Sequence, residues 1–278
     1  MKPRETKSMA TSSRSPISRV GGKFNLANKI IALFPPHSRY LEPFGGAAHI
    51  LFKKEPSITE VYNDLDGSLV NFFRHVKTQP DALIERLGFS LYSREEFEEA
   101  LAILKASSRY NAADGQANEY TDLDKAVAFY TVNRQCFAGK MSTWAITEGG
   151  VSTYYSFEKR IRLAHDRLKN VYIEHRDYKD IIARHDRPDS LFYLDPPYIF
   201  NDQRGKGKLY RNEMTDQDHV ELVDILKGIK GKFILSGYAN SIYDCFERIS
   251  IGESSISIKG IFDGGKRPKK EEFVWVNF

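Results

Sequence analysis

Cysteine is nearly absent. The chain of 278 residues holds two, Cys136 and Cys245, far apart and with no Cys-x-x-Cys spacing or nearby His pair. That excludes a disulfide framework and a zinc site; two buried free thiols in a reducing compartment are expected, and no metal. Long apolar runs are missing too, since none approaches the ~20 residues of a membrane-spanning helix. Residues 1–16 are polar, rich in Ser, Lys and Arg, and lack the apolar stretch of a secretion signal, so they read as a flexible tail. A cytoplasmic protein without a membrane partner is expected. No period of the length used by solenoids or propellers recurs. A strong charge excess is also lacking: the formal charge is +4 and the isoelectric point about 8.8, a mild lean towards an acidic partner that a solvated lysine-rich surface would equally give. With 41% hydrophobic and 28% charged residues, the chain can bury a sizeable core and is not globally disordered.

What is present is alternation. Lys23 to Leu33 has apolar residues at helical spacing and stops before Pro35-Pro36. Arg39 to Pro43 reads as a short buried strand, Ala47 to Lys54 as a helix, Glu60 to Asp64 as a strand and Leu69 to Val76 as a helix. Between about Pro80 and Leu168 the character changes: helical from Arg94 to Lys105, irregular from Ser107 to Glu119, helical from Asp122 to Val132, then loops or a hairpin from Asn133 to Tyr155. Strand-like Val171 to Ile173, helical Tyr178 to Arg184, strand-like Ser190 to Leu194, helical Asp216 to Lys227 and strand-like Lys232 to Ser236 follow, with final strands at Ser254 to Ile261 and Glu272 to Phe278. The pattern implies an α/β fold, a mostly parallel sheet covered on both faces, carrying an insertion.

The sharpest chemical signal is Leu191-Phe192-Tyr193-Leu194-Asp195-Pro196-Pro197-Tyr198. A buried strand ends in an acid, two prolines and an aromatic ring. The prolines fix φ and remove two N–H donors, which leaves a rigid turn whose carbonyls are free to accept. An exocyclic amine carries two hydrogens and a lone pair delocalised into its ring. Accepting one hydrogen at the Asp195 carboxylate and the other at the Pro196 carbonyl would draw the nitrogen towards a tetrahedral, nucleophilic form. Tyr198 would stack on the base. In isolation, Asp-Pro-Pro is more often just a turn.

Leu41-Glu42-Pro43-Phe44-Gly45-Gly46-Ala47-Ala48 sits at the first strand-to-helix turn, where glycines let a ligand approach the backbone. Asp64, about 20 residues further on, stands where a carboxylate meets a ribose. The full Gly-x-Gly-x-x-Gly of nicotinamide-binding proteins is lacking, which makes adenosylmethionine the better ligand. Gly21-Gly22-Lys23 means little alone; with Asp195 it offers a cation and an anion for the donor's carboxylate and amino group.

Together these stretches resemble the Dam-like family of adenine-specific DNA methyltransferases, of the α-class order, from about Ile17 to the C-terminus. Thr131-Val132-Asn133-Arg134 looks like the family's Leu-Asn-Arg segment, and Gly264 to Lys270 belongs to the likeness. The resemblance implies a Rossmann-like adenosylmethionine-dependent methyltransferase sheet, formed by residues 17–79 and 169–278, with an inserted, mainly helical target-recognition domain at 80–168. It implies that Lys23, Asp64 and Asp195 contact S-adenosylmethionine, that Phe44 and Gly46 line its pocket, and that Asp177 lies near its adenine. Glu42 belongs to the same donor motif, and Arg19 stands where relatives often carry an aromatic residue. Asp195, Pro196, Pro197 and Tyr198 would form the catalytic turn.

The resemblance also implies double-stranded DNA as partner, bound by a monomer, with Asn133, Arg134 and Lys140 as contacts. Arg204 and Lys206, in the basic stretch from Asn201 to Met214, are expected to close over the flipped base or backbone, and Lys266 and Arg267 to touch phosphates; a solvated charged loop has the same composition. Three readings stand at this stage: adenine methylation in DNA; methylation of another amine (cytosine's, or a protein glutamine's); and a DNA-binding relic without activity.

Overall fold

The computed structural model describes residues 14–109, 120–146, 148–198, 213–255 and 269–278. Most of the expected tail, most of the irregular stretch after Ser107, and the basic residues Arg204, Lys206, Lys266 and Arg267 lie outside the described residues.

Among the described residues, seven strands form one sheet: β1 (Arg39–Glu42), β2 (Thr59–Asn63), β3 (Val171–Glu174), β4 (Ser190–Leu194), β5 (Lys232–Gly237), β6 (Glu247–Ser255) and β7 (Lys269–Val276). Their order is β3-β2-β1-β4-β5-β7-β6. The first five are parallel, and β7 runs antiparallel between β5 and β6. Every residue of β4 is buried, as its unbroken apolar run requires of a central parallel strand. Side chains alternate between two buried clusters. Tyr40, Tyr62, Leu191, Tyr193 and Ile234 face one; Leu41, Val61, Phe192, Leu194, Phe233 and Leu235 face the other.

Helices α1 (Ala27–Ile31), α2 (His49–Lys53) and α3 (Gly67–Thr78) contribute to the first cluster. The β2–β3 connection continues through α4 (Pro80–Gly88), α5 (Arg94–Arg109), α6 (Asp122–Gln135), α7 (Gly150–Tyr154) and α8 (Phe157–Leu168). The second cluster holds α9 (Tyr178–His185) and α10 (Asp216–Gly228). Helix α6 starts with a reciprocal Thr121–Asp124 capping box and is buried almost all round. Its Phe129 and Tyr130 stack on Phe72 of α3 at 5.5 and 5.8 Å between ring centroids, so the inserted helices share one apolar cluster with the sheet.

The sheet's order of excursion reverses between β1 and β4, which opens a crevice at the carboxyl ends of these strands. Glu42 and Asp195 therefore arrive at the same edge.

Four local expectations change. The first helix is shorter than Lys23–Leu33, because the residues before Ala27 turn to bring Lys23 inward. Within Asn133–Tyr155, the chain forms a 3-10 turn (Phe137–Gly139), an isolated Cys136–Trp144 bridge and α7. The strand expected at Ser254–Ile261 lies outside the described residues beyond Ser255, and the described strand begins earlier: β6 runs Glu247–Ser255, an edge strand with a bulge between Ser250 and Gly252, where φ is 104°. Cys136 is buried, but Cys245 is exposed just ahead of β6.

Candidate active site

The turn after β1 is held by residues from β2. A Cβ on Gly45 would lie 2.2 Å from Cε2 of Tyr62 and 2.9 Å from the Asn63 carbonyl, so only glycine lets the turn pass. Gly46 has φ +50°, and a Cβ there would meet nothing within 4 Å: the turn opens onto free space. Asp64 ties the loops together, accepting from Gly46 N and Asp66 N, each at 2.8 Å. Burial raises the Asp64 pKa, against the pull of Arg19 and those two N–H groups. Asn63 donates to the Pro43 carbonyl at 2.8 Å and the Arg176 carbonyl at 3.0 Å, and accepts from Arg176 N at 2.9 Å, so one carboxamide joins the loops after β1, β2 and β3.

Glu42 closes the floor. Its Oε1 accepts from the Tyr40 hydroxyl at 2.7 Å and from Leu51 N at 2.8 Å, and burial pushes its pKa up to about 8. Arg19 pairs with Asp66 at 2.9 Å. Burial opposes its charge, but Asp66, Asp64 and Tyr62 together hold the guanidinium above its usual pKa.

On the other wall, Lys23 Nζ lies 3.0 Å from Asp195 Oδ1, donates to the Gly21 carbonyl at 2.7 Å and stands 3.7 Å from Glu272 Oε2. Asp195 Oδ1 also accepts from Ser236 Oγ at 2.9 Å. The carboxylate at the end of β4 is thus fixed from β5 and from the N-terminal loop. Tyr198 turns behind this pair. Its ring centroid is 4.7 Å from Lys23 Nζ, its hydroxyl donates to Glu272 Oε2 at 3.3 Å, and Tyr238 packs edge-on at 4.8 Å.

One cavity of about 260 Å³ is lined by all eight residues expected at the methyl donor: Arg19, Lys23, Glu42, Phe44, Gly46, Asp64, Asp177 and Asp195, joined by Pro196 and Pro197. Phe44 lies against Tyr178 with 4.9 Å between ring centroids, and Asp177 caps α9 by accepting from Lys179 N at 2.9 Å. Tyr198 is not part of this wall; it borders a second, much smaller hollow with Pro196, His219 and Ser236.

The residues expected at DNA are arranged differently. Asn133 is buried, with both ends of its carboxamide engaged: Oδ1 accepts from Ser18 N at 3.1 Å and Nδ2 donates to Ser18 O at 2.7 Å. No atom is left over for a base edge; Asn133 is placed as a clamp on the segment leading to Arg19 and Lys23. Gly139 presses on the same segment, since a Cβ there would fall 2.9 Å from Ser18 O. Arg134 is half-buried, its Nε has no hydrogen-bond partner among the described residues, and burial, then the neighbouring Arg160, lowers its pKa against the pull of Tyr130. Lys140 is half-exposed beside the Phe137 ring.

Sequence reasoning missed Asn63, Ser236 and Glu272, whose partners are distant along the chain, and His49, which lines the cavity at the start of α2. Among the described residues, no cluster of His, Cys, Asp and Glu could hold a metal, and no helix is long and apolar enough to cross a membrane.

Comparison with known proteins decides what this arrangement serves. Residues 20–262 match the family described as D12 class N6 adenine-specific DNA methyltransferase. The chain belongs to that family. The methyltransferase is 26% identical over 231 residues to a type II methyltransferase of Lactococcus lactis subsp. cremoris, M1.LlaDCHI, covering 80% of this chain and 78% of that one. It is 26% identical over 218 residues to the DNA adenine methylase of Haemophilus influenzae, covering 76% and 73%. With the DNA N-6-adenine-methyltransferase of Escherichia phage P1 it shares 30% identity over 138 residues, half of this chain and 17% of that longer protein. The methyltransferase therefore acts on N6 of adenine in DNA, and the cytosine, glutamine and relic readings fall away. The family implies a methyl donor. A turn open at Gly46, with the acids Glu42, Asp64, Asp177 and Asp195 and the cations Arg19 and Lys23 around one cavity, fits a zwitterionic, nucleoside-bearing donor.

Proposed function

We propose that the methyl donor is S-adenosylmethionine, held in the cavity between the loops after β1 and β4, and that the target adenine is flipped out of the duplex to meet it. The observation that carries this reading is the Lys23–Asp195 pair at 3.0 Å, a fixed cation beside a fixed carboxylate at the cavity's edge. Asp64 would receive the ribose hydroxyls and Asp177 lies towards the adenine end. A bound sulfonium donor supplies an electrophilic methyl group.

The chain's own task is to prepare the nitrogen. Asp195 and the Pro196 carbonyl would accept the two N6 hydrogens, and Asp195 would take up the proton that the nitrogen sheds on receiving the donor's methyl group. Tyr198, anchored by Glu272 and Tyr238, acts as the stacking plate. Residues 80–168 form the target-recognition domain of a monomer on double-stranded DNA in the cytoplasm. Arg134 and Lys140, together with Arg204, Lys206, Lys266 and Arg267, supply positive charge to phosphates, and Asn133 acts from behind by holding Ser18.

The test is Asp195→Ala. Methyl transfer to an adenine-containing duplex should vanish while duplex affinity stays near that of the unaltered protein. Near-normal turnover by the variant would remove the catalytic assignment.

A further inference from the structure

His49 lines the cavity wall next to Lys23's loop, and the reaction has so far supplied no role for it. It follows the turn at Ala48, where φ is 56°, and its ring packs edge-on against Phe24 at 5.9 Å. Nδ1 is buried, and among the described residues neither Nδ1 nor Nε2 has a hydrogen-bond partner. The edge carrying Nε2 is turned to Gly22, on the same wall as Lys23: a Cβ on Gly22 would sit 2.7 Å from that nitrogen. Glycine at position 22 thus keeps the Nε2 edge clear.

Burial above all, and then the charge of Lys23, lowers the His49 pKa to about 4, against the pull of Asp195. The ring is therefore neutral at physiological pH, with one N–H to place. A buried N–H without an acceptor is less tolerated than a buried lone pair. The proton accordingly belongs on Nε2, where it can serve a ligand, and the lone pair on Nδ1. Lys23 offers its charge on the same wall but is already shared among Asp195, Glu272 and the Gly21 carbonyl.

We propose that His49 is a donor-binding residue whose Nε2–H hydrogen-bonds the α-carboxylate of the methyl donor's amino-acid end, alongside Lys23. The assignment rests on adenosylmethionine being the donor. It makes His49 a determinant of which donors the cavity accepts, selecting those with an intact carboxylate.

Isothermal titration of the full chain with S-adenosylmethionine and with its decarboxylated analogue tests it. His49→Ala should weaken adenosylmethionine binding by about tenfold or more, the scale of a hydrogen bond to a charged group, and leave the analogue's affinity unchanged. His49→Gln, whose amide nitrogen reaches as far as Nε2, should recover most of the loss, whereas His49→Asn should not. Comparing two ligands on one variant cancels any effect on folding. Equal losses for both ligands, or affinity for adenosylmethionine within twofold of the unaltered protein, would overturn the role of His49. Failure of the unaltered protein to bind adenosylmethionine would instead sink the donor assignment itself.

Discussion

Lys23 and Asp195 lie far apart along the chain and meet at 3.0 Å, with the lysine 4% and the aspartate 21% exposed. Glu272 Oε2 stands 3.7 Å from the same ammonium, so one cation serves two carboxylates. The strand order produces this meeting: β4 lies between β1 and β5, and β7 follows β5, which brings Asp195 and Glu272 side by side and leaves the N-terminal loop to close over them.

Removing the cation should therefore do two separable things. Lys23→Met leaves two acids facing each other in a partly buried place and should cost about 3 kcal/mol of stability. Adding Glu272→Gln should return most of that stability without restoring donor affinity. Chemical denaturation and donor titration of the single and double variants read the two effects independently; recovery of both together would mean that Lys23 acts on the donor only through folding.

Tyr198 separates stacking from hydrogen bonding. Its hydroxyl contact to Glu272 is long, at 3.3 Å, whereas its ring lies against both Lys23 and Tyr238. Tyr198→Phe should keep methyl transfer within about threefold, since a neutral ring retains the stacking surface. Tyr198→Ala should weaken capture of the extrahelical base more than donor binding. The fluorescence of 2-aminopurine at the target position follows the first and calorimetry the second. A large defect in the Phe variant would shift the role to the hydroxyl.

Asn133 links the inserted helices to the donor side. With its carboxamide joined to both backbone groups of Ser18, Asn133→Ala should lower stability by about 1–2 kcal/mol, the net worth of two partly buried hydrogen bonds. It should also weaken donor binding, because Arg19 and Lys23 follow Ser18 directly. Thermal unfolding and donor titration check this; a loss confined to DNA affinity would return Asn133 to the duplex.

The sequence made these sites legible to unequal degrees, for physical reasons. The Asp-Pro-Pro-Tyr and Gly-Gly turns were readable because their chemistry is local: adjacent residues set both the backbone path and the groups it presents. β4 was readable because burial on both faces leaves an unbroken apolar run. Helix α8 was missed although Phe157, Ile161, Ala164 and Leu168, its buried positions, follow helical spacing. The inward turn of Asn133 had no such signal, since α6 is buried almost all round and shows no polar face. Asn63, Glu272 and His49 derive their roles from partners that only the folded sheet brings near.

Glu42 makes the pH dependence testable. Its folded pKa of about 8 exceeds the ordinary 4.5, with burial as the main cause and the Tyr40 and Leu51 bonds only partly opposing it. Between those values the folded chain keeps a proton that the unfolded chain releases. The stabilising contribution is therefore complete below about pH 4.5 and is lost as pH rises towards 8, at about 1.4 kcal/mol per unit, reaching roughly 5 kcal/mol. Glu42→Gln keeps an Oε1 that can accept from both Tyr40 and Leu51 N but has no proton to lose. The variant should match the unaltered protein near pH 5 and exceed it in stability near pH 8, as urea unfolding at the two pH values will read. Parallel stability profiles across that range would show that Glu42 is ionised in the folded protein and compensated by its neighbours.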